Sequence, residues 1–356
     1  MENEKLPLPL KLKNADFKFE NQNIKIDIKT DIPEKLYKYY SITDYSVKGL
    51  KNNTMYFSHS HLLNDVMDGN FILWDMSEFI INYKADLNIN YNIDSELTKE
   101  ILKQLSEPFL ECRGVLSLSD TYKNELIWAH YTSEIGYCLE LETIQFKEHI
   151  EKNRNENDLY FFPISYDHLK QINFSDFINY KIVAKSKEIN SKTVSAILPI
   201  LYCFAQKDDC WKYENEWRFL LRDKKFNSIS FPIEIINDQD KLEEDYRKSG
   251  GNIEINPKVI SKIILAPLFF NNSRFNKLEV TNSNFLIYNF KGNDAGKVAK
   301  DFLEILKHKF NDKIYQVDKI IKDGLVVREL KYKIEIVDIG ENFIKIFKNL
   351  IYEEGR

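Results

Sequence analysis

The chain has 356 residues, of which 43% are hydrophobic, 29% charged and 13% aromatic; this supply builds a sizeable core and excludes a disordered protein. With 50 basic and 55 acidic residues the net charge is −5, so charge gives no whole-protein attraction to nucleic acid or anionic lipid. The 4 cysteines form no Cys-x-x-Cys pair, which argues against a zinc ribbon and a disulfide framework and for a reduced, cytoplasmic setting.

Residues 1–34 read as an N-terminal arm. Within it Ile24-Lys25-Ile26-Asp27-Ile28 alternates with the period of an edge strand or hairpin. The arm lacks the basic-then-apolar order of a secretory signal, and no run reaches the ~18 apolar residues of a membrane span. Leu36–Tyr40 is an aromatic strand. Thr43 or Asp44 caps a short helix ending near Leu50, and Asn52-Asn53 turns the chain into a second strand, Thr54–Ser58. That strand runs into a polar loop from His59 to Gly69 carrying Ser60, His61, Asn64, Asp65 and Asp68, a common place for ligand contacts.

The spacing predicts helices over Phe71–Ala85 and Ser95–Leu110, a strand over Gly114–Ser119, and a short helix over Asn124–Tyr131 carrying Trp128, His130 and Tyr131. Strands follow at Gly136–Leu141 and Leu159–Tyr166. Residues 168–207 read as helical, interrupted near the end by Pro199. Lys207–Arg218 then concentrates Trp211, Tyr213, Trp217, Glu214, Glu216, Lys207 and Arg218 in twelve residues, and its part from Glu214 to Leu221 reads as a strand. Further strands are predicted over Phe226–Ile236, Val259–Leu265 and Asn284–Phe290. The tail offers an amphipathic helix over Asp294–Phe310, a long alternating strand or hairpin over Gly324–Ile339 and a closing helix over Glu341–Tyr352. The expected fold is α+β: a mixed, mostly antiparallel central sheet flanked by helices, with a C-terminal α/β tail. Tyr37–Tyr40, Tyr56–Ser58, Val115–Ser119, Tyr137–Leu141, Glu214–Leu221 and Val259–Leu265 supply its central strands. The divisions drawn are an arm to 34, a core over 35–292 and a helix–strand–helix extension over 293–356, read as a docking or homo-oligomerisation element.

Placed in order, Leu36–Tyr39, Tyr56–Asp68, Leu116–Ser119, Trp128–Tyr131, Gly136–Cys138, Lys207 and Trp211–Arg218 resemble the bacterial family called domain of unknown function 2971, over roughly residues 35–270. Two positions depart from its pattern: Tyr40 stands where the family often has arginine, and Val66-Met67 stands for its Pro-Phe. The resemblance implies a bacterial accessory protein of the kind associated with phage defence, and no agreed activity.

For chemistry, the order Lys38, then Ser58-His59-Ser60, then Glu214-Asn215-Glu216 is similar to that of one class of ADP-ribosyltransferases. There a basic residue holds phosphate, a Ser-x-Ser strand supports the nicotinamide pocket and a late carboxylate stabilises the positive charge that develops on ribose. On this reading the chain is an ADP-ribosyltransferase-like enzyme or NAD glycohydrolase. Glu214, Glu216 and His130 are then catalytic, and Lys38, Ser58, Ser60, Asn64, Asp65, Tyr131, Tyr213 and Arg218 hold NAD. The alternative is a non-catalytic module in which the same residues recognise a small-molecule ligand or protein partner. A third reading, metal-dependent hydrolysis by His59, His61, Asp65, Asp68 and His130, lacks a strong ligand motif, and no metal site is assigned. Each residue also has a structural reading: Trp128, Trp211 and Trp217 as core anchors, Arg218 and Lys207 paired with Glu214, Glu216 or Asp65 in an ion network, and Asn64-Asp65 closing a turn. All the chemical readings require the loop after Phe57 to share one polar hollow with the paired glutamates.

Overall fold

A computed structural model describes residues 8–20, 23–58, 63–86, 114–152, 159–177, 197–221, 251–281 and 284–351. Eleven strands form one sheet: Lys35–Tyr40 (β1), Gly114–Ser119 (β2), Tyr137–Glu142 (β3), Leu159–Pro163 (β4), Glu216–Leu221 (β5), Ile260–Leu265 (β6), Phe275–Thr281 (β7), Phe285–Phe290 (β8), Ile314–Lys322 (β9), Leu325–Ile339 (β10) and Phe343–Leu350 (β11). Their order is β7-β8-β11-β10-β9-β6-β3-β1-β2-β5-β4. The β6–β9 pair is parallel and the other pairings of this sheet are antiparallel, so the α+β expectation of a mixed, mostly antiparallel sheet holds.

Side chains alternate along each strand, and the sequence uses both faces. Leu116, Leu118, Trp217, Phe219 and Leu221 enter one core. On that first face lie the helices Asp44–Asn52 (α1), Thr143–Glu151 (through Phe146 and Ile150) and Asp294–Lys309 (through Phe302, Leu303 and Leu306). Burying each such phenylalanine or leucine contributes roughly 1.5–3 kcal/mol. The second face carries two separate clusters. One gathers Val115, Phe162 and Leu220 under the helix Ile197–Phe204 and the N-terminal meander, whose Phe17 meets Phe162 edge-on at 5.4 Å. The other gathers Tyr37, Tyr39, Cys138 and Ile264 under Trp128 of the helix Glu125–Thr132. The seam between these two clusters is where the charged residues of β5 emerge.

Three local signals position the site. Thr43 and Ser46 form a reciprocal cap at the start of α1, with Ser46 N donating to Thr43 Oγ1 at 3.3 Å and Thr43 N donating to Ser46 Oγ at 3.0 Å. Asn53, left-handed at φ 54°, ends the helix. Gly136 lies against β1 so closely that an added Cβ would stand 2.2 Å from the carbonyl oxygen of Tyr40.

Several expectations are corrected. The closing helix over 341–352 is strand β11, whose Ile344 and Ile346 are buried with period two and whose backbone pairs β8 and β10. Tyr56–Ser58 is not a central strand: Thr54–Tyr56 pairs Asn252–Glu254 in a separate ladder. The helix expected from Phe71 begins at Ser77, after a 3-10 turn at Phe71–Leu73. Within 168–207 the described helices are a 3-10 turn at Phe174–Asp176 and the helix Ile197–Phe204. Pro199 sits in the first turn of the latter, where its missing N–H has no helical partner to lose. The elements predicted over 95–110 and 226–236 lie outside the described residues. Among the described residues no helix is long and apolar enough to cross a membrane.

Candidate functional site

The sheet opens between β1 and β2. Val115, Ser117 and Ser119 present their backbone to the same side of β2. Ser119 pairs with Tyr37 of β1. Val115 instead pairs with Ser58, exchanging hydrogen bonds of 2.7 and 2.8 Å. Between these two pairings the carbonyl of Ser117 accepts a hydrogen bond from Lys38 Nζ at 3.0 Å. Lys38 therefore fills a wedge where two neighbouring segments diverge, and it borders a cavity on each face of the sheet.

On the first face is a cleft of about 440 Å³ between α1, β1 and the strand Thr54–Tyr56. Lys38, Tyr40, Tyr45, Lys48, Tyr56 and Ser58 are among its lining residues, and among the described residues no Asp or Glu is. Lys38 is half-buried, with its ammonium 5.9 Å from the centre of the Tyr40 ring. Burial lowers its pKa to about 8, against the opposing field of Glu216 and Glu214. Among the described residues it makes no ion pair.

On the second face, a cavity of about 50 Å³ is bordered by Lys38, Ser117, Ser119, Tyr131, Glu214 and Glu216. Behind it lies a buried ion network. Arg218, 0% exposed, donates from Nη1 and Nη2 to the two carboxylate oxygens of Asp68 at 2.6 and 2.7 Å, and from Nε to Glu216 at 2.5 Å. Lys207 Nζ reaches Glu214 at 2.7 Å, Glu216 at 2.8 Å and Asp68 at 3.5 Å. Tyr131 Oη donates to the other oxygen of Glu214 at 2.5 Å. Three carboxylates thus face two cations, and the remaining negative charge faces Lys38.

The pKa directions follow from this geometry. Burial would raise Glu216, but Arg218 and Lys207 outweigh it and hold the carboxyl well below its usual range. Burial prevails at Asp68 and Glu214, which are raised despite the same cations. Lys207 is raised because Glu216, Asp68 and Glu214 together overcome its desolvation. Tyr131 is raised by burial and by Glu214.

Local sequence explains the convergence of the glutamates, and not by the expected route. Asp208 caps a 3-10 turn over Asp209–Glu214 by accepting from Cys210 N at 3.1 Å, and Asn215, left-handed at φ 44°, redirects the chain so that β5 starts at Glu216. Glu214 is therefore not a strand residue, and the two carboxylates meet across a bend rather than on one pleated face. The loop after Phe57 does reach them, through Asp68.

The other sequence-predicted residues are distributed as follows. Ser58 lines the larger cleft. Asn64 is exposed. Asp65 closes a turn by accepting from Met67 N at 2.9 Å. His130 is exposed and stacks on Tyr213, with ring centres 6.1 Å apart; neither lines the two cavities. Ser60, His59 and His61 lie outside the described residues, among which no group of three or more His, Cys, Asp or Glu could hold a metal ion. Sequence reasoning missed Tyr45, Lys48 and Tyr56. The first two stand three apart on α1, a spacing that places them on one helix face.

No curated protein and no solved structure matches the chain. Residues 127–219 match the family model described as protein of unknown function (DUF2971), a span that holds Tyr131, Lys207, Glu214, Glu216 and Arg218 but not the cleft residues on α1 and β1. Over these residues the chain is similar to that family, the one its motifs resemble.

Proposed function

We propose that the chain is a ligand-binding module that takes a small anion in the cleft between α1, β1 and the strand Thr54–Tyr56. The observation that carries this is a contrast of charge. The protein is net acidic, yet among the described residues the cleft is lined by Lys38 and Lys48 and by no carboxylate. A half-buried ammonium that makes no ion pair among the described residues, and feels Glu214 and Glu216 only at a distance, is costly to keep charged, and an anion entering beside it offsets that cost. The carboxylates that suggested catalysis support this reading too, because their partners already occupy them: Glu216 is 4% and Glu214 5% exposed, and Arg218, Lys207 and Tyr131 bond them. A ligand-sensing part in a cytoplasmic bacterial defence system, the setting that the family resemblance implies, agrees with such a module.

The test is binding of pyrophosphate, followed by calorimetry and by thermal stabilisation, which grows with ligand concentration for any ligand that binds only the folded state. The wild type binds and is stabilised; Lys38→Met loses both. Equal binding by the two proteins, or none by either, overturns the proposal.

One observation favours the NAD-consuming reading as a second. Glu214, with its raised pKa, borders the smaller cavity together with Lys38, so a carboxylate stands next to the residue that would hold a phosphate. In that reading NAD is the substrate, Lys38 and Ser58 hold it, and Glu214 leaves Tyr131 for the nicotinamide ribose. Loss of NAD in the presence of the purified protein, abolished by Glu214→Gln, would support it; a NAD pool left intact by the wild type would sink it.

A further inference from the structure

We infer that Lys38 is an imine-forming lysine: the small anion taken by the cleft is an oxo acid, which carries an aldehyde or ketone, and the Lys38 amine adds to its carbonyl carbon. The inference rests on the cleft being the anion site proposed above, and it names the chemical class of that anion.

The geometry is that of an amine with space on two sides and one bond of its own. Lys38 reaches from β1 into the wedge and lines both cavities. The Ser117 carbonyl oxygen takes one of its hydrogens at 3.0 Å, and among the described residues no carboxylate bonds it. A neutral amine in that position keeps its lone pair for an electrophile in the cleft. Lys207 is placed otherwise: Glu214 and Glu216 hold it at 2.7 and 2.8 Å and keep it protonated. The charged groups whose fields reach Lys38 are Glu216, Glu214 and Arg218. Burial outweighs them and lowers its pKa to about 8. At pH 7 about a tenth of Lys38 is then neutral, against fewer than about one in a thousand of ordinary lysines. Desolvated lysines of this kind are the ones that add to carbonyl groups.

Lys348 provides the internal contrast. Burial lowers its pKa to about 8 as well, yet its ammonium sits 3.7 Å from the centre of the Tyr332 ring and it lines neither cavity. Lys38 differs by standing beside about 440 Å³ of open cleft, room for a small ligand.

In the proposed step a C–N bond forms as the carbonyl C=O bond breaks. The oxygen leaves as water with both hydrogens of the neutral amine, and the imine nitrogen takes one proton from solvent. Nothing is oxidised or reduced. The iminium carries the same charge as the ammonium it replaces, so the anionic group of the ligand keeps its counter-ion.

The experiment treats the full chain with pyruvate or glyoxylate in the presence of cyanoborohydride, which reduces an iminium to a stable amine, and locates the modified lysines by peptide mass mapping. Lys38 is labelled at least about tenfold faster than the exposed Lys48 or the buried Lys348. Its labelling saturates with oxo-acid concentration and speeds up with pH only to about 8. Lactate, with a hydroxyl in place of the carbonyl, gives no adduct, and pyrophosphate protects Lys38. If neither oxo acid labels Lys38 faster than Lys348 and Lys48 while pyrophosphate still binds, the imine inference is wrong and the anion site stands. If pyrophosphate neither binds nor protects Lys38, the anion site is wrong, and the ligand class named here falls with it.

Discussion

The two sides of the wedge at Lys38 are opposites in how they treat charge. On the second face, Asp68, Glu214, Glu216, Lys207 and Arg218 are all between 0 and 6% exposed and hold one another through bonds of 2.5–3.5 Å. On the first face, Lys48 is exposed, Lys38 is half-buried, and among the described residues no carboxylate lines the cleft beside them. A saturated network fixes the positions of the elements that supply it: the loop at Asp68, the turn at Glu214, the strand at Arg218 and, through Tyr131, the helix Glu125–Thr132. A cation that bonds one carbonyl and makes no ion pair among the described residues, beside open volume, is available to a ligand. Charge density alone therefore does not mark a functional site; charge left unpaired next to space does.

The sharpest way to break this comparison is to remove Arg218. Arg218→Met keeps much of the side chain's apolar bulk but leaves Asp68 and Glu216 buried without their main partner, which costs about 3–5 kcal/mol at neutral pH. The sign of its pH dependence follows from Glu216, whose folded-state pKa is depressed. Such a group contributes stability that is full above its ordinary range and is lost as the pH falls below that range towards the depressed folded-state value, so the gap between wild type and variant narrows below about pH 4. Denaturant unfolding of both proteins at several pH values measures this. A loss below about 1 kcal/mol at pH 7 would mean that the network is not what holds these elements together.

The cleft should respond to pH in the opposite range. Lys38 binds an anion as an ammonium, and its pKa in the free protein is about 8. Affinity for pyrophosphate is therefore steady from about pH 7 to 8 and falls above it, by up to about tenfold per pH unit. A profile that stays flat to pH 9.5 would show that another group carries the anion.

These contrasts also explain what was legible in the sequence. The alternation of Gly114–Ser119 and the aromatic run Leu36–Tyr40 suffice to read both as strands, and they are β2 and β1 of the sheet, because strand preference is written directly in the residue types. The dense stretch Lys207–Arg218 drew attention for its composition, and it does form one cluster. Its role depends on who pairs with whom, and Asp68, 150 positions from Arg218, supplies half of that answer. Pairing at such separation leaves no local periodicity. Glu214 and Glu216 were read on one strand because their spacing fits a strand, whereas the left-handed Asn215 between them is a turn signal that the alternation masked. The 341–352 segment went wrong for a related reason: its Ile344, Ile346 and Phe347 fit both a helical face and a strand, and only pairing with β8 and β10 decides. The cleft was least legible, since Tyr45 and Lys48 look like ordinary exposed helix residues until the strand Thr54–Tyr56 is seen opposite them.

A smaller effect tests whether the network reaches the helix that carries Tyr131. Tyr131→Phe deletes one charge-assisted hydrogen bond to Glu214 while keeping the ring, and Lys207 still answers the carboxylate. The expected loss is about 1–2 kcal/mol. Anion binding in the cleft should be unchanged, because Tyr131 borders only the smaller cavity. If the variant weakens pyrophosphate binding as much as it weakens folding, the two cavities act as one site and the comparison drawn here fails.

The smallest effect on stability, and the one that separates the two faces most cleanly, belongs to Lys38→Met. At Lys38 the folded protein gains a single bond to the Ser117 carbonyl and the field of Glu214 and Glu216, and loses the hydration of the ammonium. These terms oppose each other, whereas at Arg218 the ion pairs dominate. Stability should therefore change by about 1 kcal/mol or less, set against the loss of several kcal/mol for Arg218→Met. A lysine in a sheet wedge that can be removed at so little cost to the fold, while ligand binding is lost, is held for the ligand. If Lys38→Met instead unfolds the protein, the residue is a strut of the sheet and the cleft beside it is a by-product of the split between β1 and β2.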